Sequence, residues 1–430
     1  MVRGMRRRLR HACFLWFAMG WASPAMAQAP SLDVVPLDLG AGPSTAQPSV
    51  AVDPAHGFIV TWQRRKGERA TLEFAELAPG GEVVRRGVIA DSSTSGADGT
   101  AARWFVNWAD FPSLVVLDNG DWVAHWLQKT GDGTYAYEVR VVRSTDRGHT
   151  WSRSIVPHDD GTPTEHGFVS MVPAGDDRVR LVWLDGRETA GAGMDHSHHG
   201  HDHAAHAGRM TLRSAVLDRR GRLRDAARLD ASTCSCCQTD MLRVGDRTVV
   251  AYRDHGDEDL RNIHWLAHRR GRWSGEQAVH DDGWRIAGCP VNGPALAAGP
   301  SGILALWPTL QGDSMVIRAA LGDGRGFGAP VALESGVATV GRVDAAAWGD
   351  GFLAVWLGAG STPGATTLRV AELDARLGVR ATHDVVELPP GRSTGVPRVA
   401  AARGEAVLAW VEAVDGRPGV RAARLTPSTD

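Results

Sequence analysis

The chain has 430 residues, of which 43% are hydrophobic and 22% are charged, and its formal net charge at pH 7 is −2. Without the five arginines of its first ten residues the charge is −7, which argues against nucleic acid as a partner, because proteins that bind nucleic acid expose a strongly basic face. A chain of this length usually forms two or three domains, unless internal repeats build one larger domain.

The first 27 residues predict a secretory signal peptide. Five arginines between Arg3 and Arg10 precede a short apolar core, Cys13–Trp21, and small residues at Ala25 and Ala27 define a cleavage site after Ala27. The apolar core is too short to span a bilayer, and no later stretch qualifies. We therefore expect a periplasmic or secreted protein with a single domain, residues 28–430, and no membrane span.

The rest of the chain repeats one pattern seven times: an apolar run, a turn rich in Gly, Asp or Asn, and a second apolar run that ends on an aromatic residue. The second copy is typical, with Pro112–Leu117, Asp118–Gly120 and Trp122–Trp126. The closing aromatic residues are Trp62, Trp126, Trp183, Tyr252, Trp307, Trp356 and Trp410. Short strands that recur every 50 to 70 residues or so predict an all-β protein, a β-propeller. Seven blades are favoured, with six as the alternative if one copy is degenerate.

Most copies continue with two further strand-like runs, in which apolar and polar residues alternate as they do in half-buried strands. In the second copy these runs are Tyr137–Arg143 and Trp151–Val156. The seventh copy ends one strand short after Gly419–Leu425, whereas an unassigned run, Leu32–Leu37, precedes the first copy. Pairing of these two runs would close the ring and remove an open sheet edge. We expect no helix beyond short turns.

A segment between the third and fourth strands of the second copy follows the pattern S-x-D-x-G-x-T-W. Its fixed positions are Ser144, Asp146, Gly148, Thr150 and Trp151. Asp146 can accept hydrogen bonds from the turn, Gly148 can adopt positive φ, and Trp151 can pack on the strands. The segment resembles the Asp-box, or bacterial neuraminidase repeat (BNR), of sialidase-like propellers. In that family the motif is a structural turn on the face opposite the active site, so it indicates fold and not activity.

The resemblance to sialidases implies a test for their catalytic residues. That family grips a substrate carboxylate with three arginines, one of them in an Arg-Ile-Pro motif, and uses a tyrosine nucleophile with a glutamate partner and an aspartate acid/base. The chain has no Arg-Ile-Pro motif. If it is a sialidase, the matching residues are Tyr252, Glu258, Arg253 and Asp254. Tyr252 takes the place of a closing tryptophan, so a packing role is favoured, and we expect Arg253 and Asp254 to hold loops.

Four cysteines follow the signal peptide: Cys234, Cys236, Cys237 and Cys289. The first three precede the inner strand of the fourth copy, and Cys289 precedes that of the fifth. Adjacent blades place such loops side by side near the channel, so we expect the four thiols to cluster. In an oxidising compartment they would form disulfides, with Cys234–Cys289 joining two blades. Three thiols within four residues would also suit a soft metal, copper or zinc.

A histidine-rich insertion, residues 189–208, separates the second and third strands of the third copy. Its candidate ligands are Met194, His196, His198, His199, His201, His203 and His206. This loop should open on the same face as the cysteines and add ligands for copper, zinc or nickel. The alternative is a solvated low-complexity loop with incidental metal affinity. Hydrogen-bonding residues expected on that face are Asn107, Trp108, Asp110, His166, Asp257, Arg261 and Arg342.

Three motifs around the cysteines resemble those of a group of exported, sialidase-like proteobacterial proteins. They are C-x-C-C-Q-T-D at Cys234–Asp240, A-Y-R-D at Ala251–Asp254 and G-C-P-V-N-G-P at Gly288–Pro294. The resemblance implies no established activity. We therefore expect a non-catalytic, exported propeller that binds a soft metal ion, with copper favoured, or another small ligand. The alternatives are an exo-α-sialidase or related glycosyl hydrolase, and a scaffold with structural disulfides that binds a periplasmic protein or a glycan.

Overall fold

The computed structural model describes Met1 and residues 32–96, 99–190 and 209–428. Within these residues the chain is all-β: 28 strands form seven antiparallel sheets, and the helices are three short 3-10 turns. The turns are Arg187–Thr189, Asp257–Asp259 and Arg392–Thr394. The sheets are the seven blades of a propeller, which confirms the predicted fold and blade number.

In chain order, the strands are β1 (Leu32–Leu37), β2 (Thr45–Asp53), β3 (Gly57–Lys66), β4 (Arg69–Leu77), β5 (Val83–Asp91), β6 (Leu114–Val116), β7 (Trp122–Lys129), β8 (Tyr137–Ser144), β9 (His166–Pro173), β10 (Val179–Asp185), β11 (Thr211–Leu217), β12 (Leu223–Asp230), β13 (Asp240–Val244), β14 (Arg247–Arg253), β15 (Ile263–Arg269), β16 (Arg272–Trp273), β17 (Gln277–Ala278), β18 (Ala295–Gly299), β19 (Gly302–Gln311), β20 (Ser314–Gly322), β21 (Val331–Gly336), β22 (Gly341–Trp348), β23 (Gly351–Ala359), β24 (Thr366–Leu373), β25 (Val379–Leu388), β26 (Arg398–Ala402), β27 (Glu405–Val414) and β28 (Arg417–Pro427). Blade 1 contains β2–β5, blade 2 β6–β8, blade 3 β9–β12, blade 4 β13–β17, blade 5 β18–β21, blade 6 β22–β25, and blade 7 β26–β28 with β1. The inner strands β2, β6, β9, β13, β18, β22 and β26 each contact the next, and β26 contacts β2, so they form a closed ring.

The N-terminal strand completes blade 7. β1 pairs antiparallel with β28, with Leu32 opposite Pro427 and Leu37 opposite Ala422. Main-chain hydrogen bonds therefore join the first and last strands of the ring and cover the outer edge of β28. This pairing confirms the closure that the unassigned run Leu32–Leu37 predicted.

Blade 2 departs from the predicted pattern, because Trp151–Val156 is not a strand. The segment forms one isolated bridge, in which Ile155 and Val141 exchange backbone hydrogen bonds of 2.9 Å. Nearer the turn, the Ser152 hydroxyl accepts the N–H of Arg143 at 3.0 Å, so a side chain replaces a main-chain ladder partner. The prediction of a fourth strand here was wrong, and blade 2 has three strands.

The closing aromatic residues pack between neighbouring blades, and all seven are buried, with at most 8% of their surface exposed. Five of the six tryptophans among them donate the indole N–H to a carboxylate at 2.6 to 3.1 Å. The pairs are Trp62–Glu73, Trp183–Asp185, Trp307–Asp282, Trp356–Glu334 and Trp410–Glu412. In these blades a large ring is buried without leaving its polar atom unpaired.

Neighbouring blades are also joined where their inner strands begin. At four places a side chain accepts the backbone N–H of the next blade at 2.7 to 2.8 Å. The pairs are Asp110 with Phe168, Asp240 with Leu296, Asn292 with Arg342 and Asp344 with Val399. These bonds fix the loops that lead into the inner strands. We call the face that carries these loops, residues 104–113, 157–165, 231–239, 286–294 and 389–397, the loop face.

Candidate metal centre

The four cysteines meet on the loop face, between blades 4 and 5. Sγ of Cys234 lies 3.0 Å from Sγ of Cys237 and 3.6 Å from Sγ of Cys236. All three sulfurs lie within 4.8 Å of one another. Cys289 lies outside this group of three, in the loop of the neighbouring blade, which adjoins the cysteine segment through the hydrogen bond from the Gly293 N–H to the Gln238 side chain. All four are free cysteines, and the structure brings three of them together, with Cys289 in the adjoining loop.

The thiols differ in their exposure to solvent. Cys234 and Cys237 are each 1% exposed, Cys236 is partly buried, and Cys289 is exposed. The cluster therefore extends from the surface of the loop face into the interior of blade 4.

The cysteines of the cluster differ in the pKa of their thiols. Burial alone would raise the pKa of the Cys237 thiol, but hydrogen bonds from Cys234 and Cys236 and the charge of Arg253 lower that pKa well below its ordinary value. The hydrogen bond from Cys236 also lowers the pKa of Cys289 to about 7. The thiolate is the form that binds metals. The lowered pKa therefore favours the metal-binding form of Cys237 and Cys289.

Arg253 holds the loops behind the cysteines. Its side chain is buried, and its guanidinium donates to the backbone oxygens of Asn292 at 2.8 Å and Pro308 at 2.7 Å, and to that of Arg261. Two loop segments and strand β19 are thus tied to one side chain, in the loop-holding role expected from the sequence. The same positive charge acts on Cys237.

A glycine allows the two cysteine loops to approach each other. The Gln238 side chain donates to the backbone oxygen of Ala109 at 2.7 Å and accepts the N–H of Gly293 at 3.2 Å. A Cβ at position 293 would lie 2.1 Å from the backbone oxygen of Gln238, so a larger residue cannot take this place. The glycine near the end of the G-C-P-V-N-G-P motif therefore helps to seat Cys289 beside Cys236.

Tyr252 behaves like the other closing aromatic residues. It is fully buried, and its hydroxyl donates to Asp230, as the tryptophans donate to their carboxylates. Burial raises the pKa of this phenol above its ordinary value. The Glu258 side chain is 82% exposed and forms an ion pair of 3.0 Å with Arg285. Tyr252 and Glu258 are therefore not brought together as a nucleophile and its partner. Asp254 lies instead with Asp230 and His264.

A tyrosine with two carboxyl groups does occur on the loop face, built from Tyr137, Glu165 and Asp110. The Tyr137 hydroxyl lies 2.7 Å from Oε1 of Glu165 and 3.1 Å from Oδ2 of Asp110. One phenol hydrogen cannot donate fully to both acceptors, and a proton on one of the carboxyl groups would satisfy the second contact. Burial raises the pKa of Asp110 to about 7 and that of Glu165 to about 8. All three residues are at most 5% exposed.

The sequence indicated only Asp110 of this trio, as a residue on the loop face. Tyr137 begins a strand and Glu165 precedes another, and 28 residues separate them. No local motif marks such an arrangement, because two loops and the start of a strand supply its three members.

Arg342 is also engaged with the protein itself. It donates to the backbone oxygen of Gly391 at 3.0 Å and to the hydroxyl of Thr394 at 2.6 Å, and it lies 4.3 Å from the centre of the Trp108 ring. Burial lowers the pKa of Arg342 to about 10. Like Arg253, this arginine links loops, here through bonds that all come from one nitrogen, Nη1.

His166, another residue expected on the loop face, belongs to a different cluster. Oδ2 of Asp160 lies 3.1 Å from ring nitrogens of His158 and His166, and 3.0 Å from the guanidinium of Arg187. These residues offer nitrogen and oxygen atoms that could hold a metal. However, the guanidinium already supplies a cation to the shared carboxylate, so the cysteines form the better metal centre.

The remaining predicted residues lie elsewhere. The turn Ser144–Trp151 follows β8 on the opposite face, where Asp146 accepts the N–H of Thr150 at 2.9 Å and Gly148 has a φ of 82°.

The insertion residues from 191 to 208, and the predicted signal peptide beyond Met1, lie outside the described residues. In the ranges that the structure covers, no helix has the length and apolar character needed to cross a bilayer.

Comparison with known proteins gives matches among solved structures alone. No family model matches the sequence, and no curated protein matches it significantly. The chain is similar to a mutant of the NanB sialidase from Streptococcus pneumoniae, with 10% identity and a TM-score of 0.48 over 93% of this chain and 95% of that one. It is also similar to a leech intramolecular trans-sialidase, with 10% identity and a TM-score of 0.43 over 93% and 94% of the chains. Polysaccharide lyase Uly1 shows 9% identity and a TM-score of 0.46 over 89% and 90%. The seven sheets themselves establish the propeller, and these similarities add no argument about activity.

Proposed function

We propose that this chain is an exported, non-catalytic, sialidase-like propeller that binds Cu(I) through Cys234, Cys236, Cys237 and Cys289 in the periplasm or outside the cell. One observation carries the proposal: three thiols of one short segment lie within 4.8 Å of one another, and a fourth, Cys289, lies in the adjoining loop of the next blade. Thiolates are soft ligands that select Cu(I) or Zn(II) over harder cations.

The sulfur distances suit a metal with modest adjustment. A tetrahedral metal with bonds of about 2.3 Å to sulfur separates its ligands by about 3.8 Å. The distance of 3.6 Å between Cys234 and Cys236 is close to this value. The distance of 3.0 Å between Cys234 and Cys237 must widen for a metal, or shorten to about 2.05 Å for a disulfide. The redox state of this pair is therefore the property to measure.

Copper is favoured over zinc because the donors are unevenly placed. Three sulfurs converge closely, whereas Cys289 lies outside that group, in the adjoining loop of the next blade. Cu(I) accepts a small number of thiolate ligands, whereas structural zinc sites are almost always closed by four. Arg253 adds a positive charge that partly balances the thiolates.

Metal analysis combined with thiol counting tests this proposal. Protein purified from the periplasm without oxidation should compete for Cu(I) with a chromophoric chelator, and its thiols should become protected on loading. Cys236→Ser and Cys237→Ser should each weaken Cu(I) binding by at least about ten-fold. Ser235→Ala, in the same segment, should leave binding unchanged. Reduced protein that binds no Cu(I), or isolated protein with two intact disulfides, would contradict the proposal.

A sialidase-type glycoside hydrolase is the second candidate, favoured by the contacts of Tyr137 with Glu165 and Asp110. The resemblance implies this combination of residue types, although here all three are buried. A fluorogenic sialoside assay tests it with two matched variants. Turnover that is lost in Tyr137→Phe and kept in Tyr252→Phe would support this candidate, and absence of turnover in the unmodified protein would exclude it for that substrate.

A further inference from the structure

The cysteine segment contains two thiols with the spacing and the separation of a reversible disulfide. Cys234 and Cys237 are separated by two residues, which is the spacing of redox-active Cys-X-X-Cys pairs. Their Sγ atoms lie 3.0 Å apart, whereas Sγ of Cys236 lies 3.6 Å from that of Cys234. A disulfide bond is about 2.05 Å long, so the two sulfurs of the closer pair need to approach by only about 1 Å to form one.

Hydrogen bonds hold this segment on both sides of the pair. The N–H of Cys234 donates to the backbone oxygen of Arg253 at 3.0 Å. After the pair, the Gln238 side chain donates to the backbone oxygen of Ala109 at 2.7 Å and accepts the N–H of Gly293 at 3.2 Å. Because both ends of the segment are anchored, a disulfide can form and break here with small movements of the cysteine side chains.

The three thiols of the segment differ in their access to solvent. Cys234 and Cys237 are each 1% exposed, so a molecule in solution does not reach their sulfurs directly. Cys236 is partly exposed, and its Sγ lies within 3.6 Å of that of Cys234. Exchange between a thiol and a disulfide requires a sulfur that the partner can reach. Cys236 is therefore the thiol through which the buried pair can react with a molecule outside the protein.

We propose that this chain carries out thiol–disulfide exchange with small disulfides, in which Cys236 reacts first and Cys234 and Cys237 form the final disulfide. The partner is a small molecule because Cys236 is only partly exposed. This activity goes beyond the proposed copper site, although the same sulfurs serve both. Cu(I) bound to the reduced thiols should block the exchange, and the disulfide should remove two copper ligands.

The reaction proceeds in three exchanges. The Cys236 thiolate attacks one sulfur of the small disulfide, whose S–S bond breaks, and the first small thiolate leaves with the electron pair. The Cys234 thiolate attacks Sγ of Cys236 and releases the second small thiolate. The Cys237 thiolate then attacks Sγ of Cys234, and Cys236 leaves as a thiolate. The protons of Cys234 and Cys237 pass through water to the two small thiolates. Two protein thiols are thus oxidised to one disulfide, and one small disulfide is reduced to two thiols.

Reaction of the full chain, reduced and free of metal, with dithiobis(nitrobenzoate) tests this activity, because the thiolate released from this small disulfide is coloured. Cys289→Ser is the background for every measurement, since Cys289 is exposed and would react by itself. The protein should release both thiol halves of the probe and retain neither. Mass spectrometry should show the loss of two hydrogen atoms, and dithiothreitol should restore the free thiols. Near-ultraviolet circular dichroism checks the fold of each variant.

Single substitutions in this background separate the roles of the three thiols. Cys236→Ser should slow the release of the probe by at least about ten-fold, because the two remaining thiols are buried, but the same disulfide should form in the end. Cys234→Ser should release one half of the probe and keep the other on Cys236, because a disulfide between the adjacent Cys236 and Cys237 is strained. Ser235→Ala, the matched control, should change neither the rate nor the product.

Exchange and copper binding are measured separately, so each proposal can fail alone. No release of the probe, a stable mixed disulfide in Cys289→Ser, or an unchanged rate on adding Cys236→Ser overturns this inference. Reduced protein that exchanges as expected but binds no Cu(I) overturns only the copper site. Protein that binds Cu(I) but forms no disulfide with the probe overturns only the exchange activity.

Discussion

Replacement of Asp110 by asparagine should change how the stability of the protein depends on pH. Burial raises the pKa of Asp110 in the folded protein to about 7, from an ordinary value of 3.8. Between these two values the unfolded chain releases a proton that the folded chain keeps. Stability therefore falls as pH rises through this range, and the fall ends once the folded carboxyl group also ionises.

The size of the effect follows from the gap between the two pKa values. A gap of about three pH units, at 1.36 kcal/mol for each, corresponds to about 4 kcal/mol as an upper bound. The asparagine side chain of Asp110→Asn does not titrate. Its oxygen can still accept the N–H of Phe168, and its amide can donate to the Tyr137 oxygen, which leaves the phenol hydrogen for Glu165. The variant should therefore gain up to about 4 kcal/mol relative to the unmodified protein between pH 4 and pH 7.

Urea unfolding followed by tryptophan fluorescence, repeated at intervals from pH 4.5 to pH 8, measures this difference. Groups that do not interact with Asp110 cancel in the comparison, whereas Glu165 does not, because Asp110 helps to raise its pKa. Asp132→Asn is the control, because the Asp132 side chain is 99% exposed. A difference in unfolding free energy between Asp110→Asn and the unmodified protein that stays constant across this range would refute the reasoning.

Three further predictions concern the loops and the ring. Gly293→Ala should lower the free energy of unfolding by about 1–3 kcal/mol and weaken Cu(I) binding, because its Cβ would overlap the Gln238 backbone; unchanged urea and chelator titrations would contradict this. Arg253→Met should lower the free energy of unfolding in urea by about 3–5 kcal/mol, since three buried carbonyl groups lose a charged donor. A decrease below about 1 kcal/mol would contradict the loop-holding role of Arg253. Deletion of residues 28–37 should lower the melting temperature and increase light scattering, because the edge of β28 becomes free to pair with other chains; an equally stable, non-aggregating product would count against ring closure as a stabilising feature.

The sequence was sufficient to predict the ring, because its main signal is repeated and local. Each copy carries the same alternation and the same closing aromatic residue, and the unpaired run Leu32–Leu37 had one available partner in the seventh copy. The same local signal was not sufficient to decide whether blade 2 has a fourth strand. Trp151–Val156 has strand-like composition, but the Ser152 hydroxyl competes for the N–H of Arg143, and composition alone does not report such competition.

Features of the candidate site that follow from the order of the blades could be predicted from the sequence. Features that depend on contacts between distant residues could not. The placement of Cys236 and Cys289 in adjoining loops follows from the adjacency of such loops in any propeller. The contact of Tyr137 with Glu165 requires a strand of one blade to face a loop before the next, and neither residue lies in a motif. The carboxylate partner of Tyr252 was likewise invisible, because Asp230 ends a strand of the preceding blade.

The pairing of β1 with β28 also determines when blade 7 can form during synthesis of the chain. Leu32 and Pro427 are about 400 residues apart, and ribosomes add about 5–20 residues per second, so β1 is made roughly 20–80 s before its partner. During that interval Pro36 offers no N–H to a foreign strand and Asp33 carries a charge, which both discourage mistaken pairing. The seventh blade can therefore form only after β28 has been made and has paired with β1.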